Sequence, residues 1–207
     1  GIQNPEDLMI VIGLTGGIGT GKSEAARILE EIGAYIIDAD RLGHSAYFPH
    51  SEIWEEVVKE FGDGVLLPDE EIDRKKLGSI VFNDPVQLAK LNEIMHPRMG
   101  KMVANLIEGS DAEVVVVEAA LLLEAGWDAL VDEVWCTGAS EDIVIDRLKA
   151  RNGLNKEEAQ KRIKAQMSVD ERKSRSQVMI ENNGDLAQLT TVIEQIWENR
   201  VITKVEK

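Results

Sequence analysis

Apolar and polar positions fall into two alternating patterns along the chain. Five short segments, Met9–Leu14, Tyr35–Asp38, Glu113–Glu118, Asp132–Thr137 and Val178–Glu181, are almost continuously apolar and rich in β-branched residues. Runs of this kind predict strands covered on both faces, as in a parallel sheet. Between them the apolar residues recur at helical spacing. Ala25, Ile28, Leu29 and Ile32 predict a helix from about Gly21 to Ile32, with Gly33 as its terminator. Leu186, Leu189, Val192, Ile193, Ile196 and Trp197 predict a last helix from Asp185 to about Arg200. The alternation implies an α/β fold. Residues Asp40 to Ser110 are too many for a simple crossover between strands. Their pattern is helical, with Ile53, Val57, Val58 and Phe61, then Leu88, Leu91, Met95, Met99, Met102 and Leu106, punctuated by Pro49, Pro68, Pro85 and Pro97. A helical lobe inserted into the sheet domain is expected, with core packing behind the Met and Leu spacing and a helix break at His96-Pro97.

The turn between the first strand and the first helix carries the chemistry. Gly16-Gly17-Ile18-Gly19-Thr20-Gly21-Lys22-Ser23 satisfies G-x-x-x-x-G-K-[ST] straight after a strand and at the opening of a helix. Glycines let the backbone wrap a phosphate chain with its N–H groups inward, and the helix N-terminus adds partial positive charge. Lys22 would reach the β- and γ-phosphates, and the Ser23 hydroxyl would ligate Mg²⁺.

Composition narrows the class. The 207 residues suit one domain, or one core with an inserted lobe, and the hydrophobic fraction of 43% supports a real core. A net charge of −15 argues against a nucleic-acid partner. No apolar run approaches the roughly 18–20 residues of a membrane span, and no signal peptide is visible. The single cysteine, Cys136, lies in the apolar run Val134-Trp135-Cys136 and reads as a buried thiol. His44, His50 and His96 show no metal spacing with it. A soluble, reducing, cytoplasmic setting is expected. Residues 1–8, which lack an initiating Met, read as a linker or an expression remnant.

A nucleotide loop admits a switch GTPase, an ATPase motor or a small-molecule kinase. The GTPase reading has two near matches, Asp40-Arg41-Leu42-Gly43 and Asn155-Lys156-Glu157-Glu158. The first follows the second strand too closely to leave room for a switch strand, and the second opens a charged helix. Three features favour a kinase. Asp38-Ala39-Asp40 closes the second strand, and ligands of open parallel sheets bind outside the carboxyl ends of strands. One acid can cap the next helix while the other, Asp40, accepts a hydrogen bond from an attacking hydroxyl. Glu118 ends the third strand, where it can orient a Mg²⁺ shell or cap a helix. Residues 147–175 hold ten bases against four acids, a net +6 within an acidic chain. A basic lid over transferring phosphates would account for the reversal, with Arg147 and Arg151 sharing a helix face to clamp two phosphate oxygens; a solvated, salt-bridged helix is the plainer account. Another small-molecule or nucleoside monophosphate kinase, and a non-catalytic nucleotide-binding module, remain the alternatives.

Taken together, several stretches resemble the dephospho-CoA kinase family. They are Gly13-Leu14-Thr15 with the phosphate loop, Ile37-Asp38-Ala39-Asp40 with His44, Asp73-Arg74 through Leu77, Val81-Phe82, Ile94-Met95-His96-Pro97, Leu121-Leu122-Leu123-Glu124, Arg147-Leu148 with Arg151, and Asn182-Asn183-Gly184. Glu118-Ala119-Ala120 stands where the bacterial pattern has Asp and Pro before the Leu pair. The run Ala119 to Trp135 looks more like the kinase domain of the animal bifunctional CoA synthase. The resemblance implies ATP-dependent phosphorylation of the ribose 3′-hydroxyl of dephospho-CoA to CoA and ADP. It implies a P-loop NTPase fold like that of nucleoside monophosphate kinases, a parallel five-stranded sheet of order 2-3-1-4-5 with a helical substrate lobe and a basic lid. The core would cover 9–43 and 111–207, the CoA lobe about 44–110 and the lid about 147–175. By resemblance, Asp40, Lys22 and Arg147 are catalytic. Gly17, Ile18, Gly19, Thr20, Gly21, Lys22, Ser23, Glu24, Arg151, Asn183 and Gly184 hold the nucleotide. Thr15, Asp40, His96 and Leu122 meet the substrate, and Ser23 and Glu118 serve Mg²⁺. Fusion to an upstream phosphopantetheine adenylyltransferase domain, with mitochondrial association, is left open.

Overall fold

The five apolar runs build one sheet of order β2-β3-β1-β4-β5, the order the resemblance implies. The structure is a computed structural model that describes residues 9–205; the expected leading linker at 1–8 lies outside them. The strands are β1 (Ile10–Gly16), β2 (Tyr35–Asp38), β3 (Val114–Glu118), β4 (Glu133–Gly138) and β5 (Val178–Glu181). Central β1 pairs in parallel with β3, Ile12 opposite Val116, and with β4, Leu14 opposite Trp135. Every residue of β1 and β3 is buried, which explains their uninterrupted apolar runs.

Helix α1 (Lys22–Glu31) turns its Ala25, Ile28 and Leu29 onto the sheet, and α9 (Leu186–Trp197) adds Leu189 and Ile193 to the same cluster with Ile12, Leu14, Val116, Trp135 and Ile180. Each Val, Leu or Ile among these stabilises the fold by about 1.5–3 kcal/mol when fully buried. Gly33, at a φ of 121°, lets the chain leave α1, as its position predicts. Asp185 and Gln188 form a reciprocal capping box at the start of α9. The last helix is not one uniform element to Arg200. A π-helical turn, Glu198–Ile202, follows Trp197 and leads into the short α10 (Thr203–Val205). The wider turn buries Val201 in the core and leaves Arg200 and Lys204 to reach Glu133.

The chain divides into two compact units, one holding the residues up to Ile37 and from Gly109 onward, the other Asp38–Glu108. The second is helical, with α2 (Ala39–Ser45), α3 (Glu52–Phe61), α4 (Arg74–Val81) and α5 (Pro85–Glu108). Asp38, Ser51 and Asp73 cap the first three through their side chains. The expected break at His96-Pro97 does not occur, because α5 runs through Pro97. Proline removes one helical donor and opens the turn. Two features offset this: Leu91, Met95, Met99 and Val103 stay buried along one face, and the Arg98 guanidinium donates to the Ile94 carbonyl at 3.0 Å. The first unit continues with α6 (Glu141–Asn152), α7 (Lys156–Lys164) and α8 (Val169–Ser174). Asn155, the first residue of the GTPase-like string, is the side-chain cap of α7. No helix among the described residues is long and apolar enough to cross a membrane.

Glu133 ties the C-terminal turn to the sheet. Its side chain is buried and accepts from Arg200 at 2.8 Å and Lys204 at 3.0 Å. Burial pushes its pKa up, but the hydrogen bonds and charges of the two bases outweigh this and hold it below the usual carboxylate range. The pair therefore stabilises the protein above the unfolded-state carboxylate pKa and loses that contribution as pH falls through the lower folded value. Glu133→Gln should cost about 1–2 kcal/mol at neutral pH, and the difference from wild type in urea melts should vanish in acid.

Candidate active site

What holds the carbonyls and amides of the turn after β1 sets its conformation. The turn from Gly16 to Lys22 has three carbonyls fastened by side chains, while its Ile18 amide donates to Gln166 Oε1 at 2.9 Å and its Thr20 amide to the Gly17 carbonyl at 3.3 Å. The Thr20 hydroxyl donates to the Gly17 carbonyl at 2.6 Å. Arg147 Nη1 donates to the Gly19 carbonyl at 3.1 Å, and Asn182 Nδ2 to the Thr20 carbonyl at 3.0 Å. With the Thr20 proton given to Gly17, the Thr137 hydroxyl, 2.8 Å away, is the donor in the Thr20–Thr137 pair. This binds the turn to the end of β4. Two glycines are dictated by these contacts. A Cβ on Gly16 would stand 1.9 Å from Thr137 Oγ1. One on Gly21, which also has a φ of 89°, would stand 2.2 Å from Asn182 Nδ2.

The turn borders a cavity of about 260 Å³ lined by Gly16 to Gly19, Gly21 to Glu24, Ala120, Arg151 and Gln166. Gly17, Ile18, Gly19, Gly21, Lys22, Ser23, Glu24 and Arg151 are thus gathered at one cavity. Lys22 forms an ion pair with Glu118 at 3.3 Å, and both side chains are largely buried. Ser23, in the first turn of α1, also faces this cavity. A second cavity of about 150 Å³ is lined by Gly21, Glu24, Arg147, Arg151, Asn182, Gly184 and the start of α9. Gly21, Glu24 and Arg151 belong to both walls, so the two spaces adjoin.

Several expected residues take other positions. Arg147 and Arg151, expected to clamp phosphate oxygens together, have different partners within the protein. Arg147 directs its guanidinium to backbone carbonyls, those of Gly19, Asn182 (2.7 Å) and Gly184 (3.4 Å), and so ties the turn to the segment after β5. Arg151 pairs with Glu24 at 3.1 Å. Asn183 is exposed and accepts from the Ser140 amide, while its neighbour Asn182 is the one that reaches the turn. Thr15 and Leu122, expected against the substrate, are instead buried in the fold: the Thr15 hydroxyl donates to the Ala120 carbonyl, and Leu122 packs on Gly13. In the helical unit, Asp38 is the cap of α2, and Asp40 lies exposed in that helix's first turn. His96 is half-buried in α5, and burial lowers its pKa, which keeps the ring neutral near pH 7. Burial raises the Cys136 thiol pKa, leaving it unsuited to nucleophilic work. Among the described residues no group of three or more His, Cys, Asp and Glu is placed to hold a metal.

Four contributors were not singled out as site residues from the sequence: Thr137, Asn182, Gln166 and Arg172. Gln166 Oε1 accepts from the Ile18 amide at 2.9 Å. Arg172 was visible as one of ten bases, and only its burial separates it from the rest.

Gly21→Ala would combine a strained backbone with a collision at Asn182. It should lower stability by about 1–3 kcal/mol, seen as a reduced Tm, and should weaken nucleotide binding measured by calorimetry.

Known proteins place this architecture. Residues 10–188 match the family model described as dephospho-CoA kinase. The dephospho-CoA kinase of Geobacter sulfurreducens is 45% identical over 196 residues, covering 93% of this chain and 99% of that protein. A crystal structure of TT1252 from Thermus thermophilus superposes with a TM-score of 0.77 at 30% identity, covering 93% and 98% of the two chains. Dephospho-CoA kinase from Campylobacter jejuni shares the fold at a TM-score of 0.69 and 23% identity, covering 95% and 98%. These bacterial relatives lend no support to fusion with an adenylyltransferase domain or to a mitochondrial association, the two points left open by the sequence. With its phosphate loop, its strand order and these relatives, the chain belongs to the dephospho-CoA kinase family.

Proposed function

We infer that this chain transfers the γ-phosphoryl group of ATP to the ribose 3′-hydroxyl of dephospho-CoA, giving CoA and ADP. The observation that carries the reading is the glycine-rich turn between β1 and α1, held by Thr20, Arg147 and Asn182 and bordering the 260 Å³ cavity, in a chain of this family. Phosphoryl transfer asks for little covalent chemistry, so positioning and charge supply the rate. The amides of the turn and the N-terminus of α1 grip the β- and γ-phosphates. Lys22 offsets charge on the transferring group. The adjoining cavity between Arg147, Arg151 and the start of α9 suits the nucleoside. Asp40, two residues beyond the carboxyl end of β2, is assigned to the acceptor hydroxyl, which it orients and deprotonates. Half-buried, neutral His96 is assigned to the substrate, and the helical unit as a whole to the CoA moiety. The segment 147–175 is assigned to a lid that excludes water, which would otherwise accept the phosphoryl group. The reaction is placed in the cytoplasm.

Ser23 and Glu118 are hard oxygen donors of the kind Mg²⁺ takes alongside water and phosphate oxygens, and they fit such an ion. When bound, Mg²⁺ would neutralise charge on the β- and γ-phosphate oxygens.

Coupled ADP-release assays with dephospho-CoA, AMP, adenosine and no acceptor separate the readings. Turnover is expected with dephospho-CoA alone. Preference for AMP would favour a nucleoside monophosphate kinase, and ATP binding without turnover for any acceptor a binding module. Asp40→Asn should lower kcat by about 10²–10⁴-fold with little change in ATP affinity; a surviving kcat would leave Asp40 outside the chemistry. Lys22→Ala should lose most of its turnover, and wild-type rates in that variant would contradict the phosphate assignment.

A further inference from the structure

We propose that Arg172 is a further catalytic residue, the cation that meets the terminal phosphate of ATP at the entrance of the phosphate-binding turn. Of the ten bases between residues 147 and 175, Arg172 alone is buried, at 5% exposure. Its Nη1 is sealed from solvent and has no hydrogen-bond partner among the described residues. The neighbouring cations are occupied: Lys22 by Glu118, Arg151 by Glu24, Arg147 by three carbonyls and Arg175 by the Leu123 carbonyl. Arg172 forms no ion pair among the described residues. A buried guanidinium without a counter-charge is strongly disfavoured, and an apolar side chain of like volume would be the more stable choice. Its presence is explained if the complementary anion arrives with a ligand.

Its location says which anion. Arg172 Nη1 lies 3.3 Å from the point where a Cβ on Gly17 would stand, and Gln166 Oε1 lies at the same distance from that point. Gln166 in turn holds the Ile18 amide. A cation and an amide from the segment around α8 therefore converge on Gly17 and Ile18. Gly17, Ile18 and Gln166 line both the 260 Å³ cavity and an adjoining one of about 140 Å³, and it is the second that Arg172 borders. The absence of a side chain at Gly17 is what admits the guanidinium. The anion gripped by this turn is the end of a triphosphate, and ADP lacks that terminal group. A guanidinium there forms paired hydrogen bonds to phosphoryl oxygens whose charge is redistributed during transfer.

The inference rests on the turn being a triphosphate site, and not on the identity of the acceptor. Arg172→Met and Arg172→Lys are compared with wild type by steady-state kinetics, by calorimetric ATP and ADP affinities, and by Tm. For Arg172→Met, kcat should fall by about 10²–10³-fold. The ratio of ATP to ADP affinity should fall by about tenfold, with ADP affinity kept within about twofold. Its Tm should be unchanged or raised, because an unpaired buried charge has gone. Arg172→Lys should recover part of kcat. A wild-type kcat in Arg172→Met, or an unchanged ratio of ATP to ADP affinity, overturns the proposal. So does a joint loss of kcat, ADP affinity and Tm, which marks a structural strut. The affinity ratio needs no acceptor, so failure of dephospho-CoA as substrate would leave this test standing.

Discussion

The anchoring of the carbonyls in the turn after β1 is the constraint on which the rest depends. A peptide unit has two ends, and fixing its carbonyl fixes where its N–H points. Thr20, Arg147 and Asn182 hold the carbonyls of Gly17, Gly19 and Thr20. The anchors come from different elements: Arg147 from α6, Asn182 from the end of β5, and Thr137, which positions Thr20, from β4. The order β1-β4-β5 brings these strand ends side by side at the turn. Sheet topology is thereby converted into the conformation of the turn, in which the Ile18 amide is held by Gln166 and the Thr20 amide by the Gly17 carbonyl.

Charge is arranged around the same point in pairs. A chain with a net charge of −15 would repel a polyphosphate unless its cations were concentrated locally. Lys22 faces Glu118 and Arg151 faces Glu24, so each cation is stored with a carboxylate. Arg147 is stored against carbonyls and serves as mortar between the turn and the loop after β5. Among the described residues, Arg172 differs in having no such store. The basic segment is therefore not one uniform lid surface: its exposed lysines are solvated, while its arginines at 147, 172 and 175 are built into the fold.

Much of this was legible in the sequence. The five strands lay within a residue or two of their predicted bounds because all read as apolar runs, β1, β3 and β4 being buried along nearly their whole length while the edge strands β2 and β5 are only partly buried. The phosphate turn was legible because its glycines answer to steric facts, Thr137 beside Gly16 and Asn182 beside Gly21. What the sequence concealed was tertiary. Pro97 signals a break, and a buried face on α5 overrides it. Arg147 and Arg151 share a helix spacing, but their partners lie on different elements. The burial of Thr15 and Leu122 is likewise tertiary and carries no mark in their motifs. Gln166 and Arg172 carry no local signal, since a glutamine at a helix end and one more arginine in a basic segment look like surface until burial is known.

The central claim is that the fastened turn holds ATP for transfer of its terminal phosphoryl group to a sugar hydroxyl. Phosphorus NMR of the purified protein with Mg²⁺, ATP and dephospho-CoA observes that transfer directly. The account predicts a new 3′-phosphomonoester resonance growing in step with ADP. Growth of ADP with inorganic phosphate alone, or intact ATP beside unchanged dephospho-CoA, would contradict it.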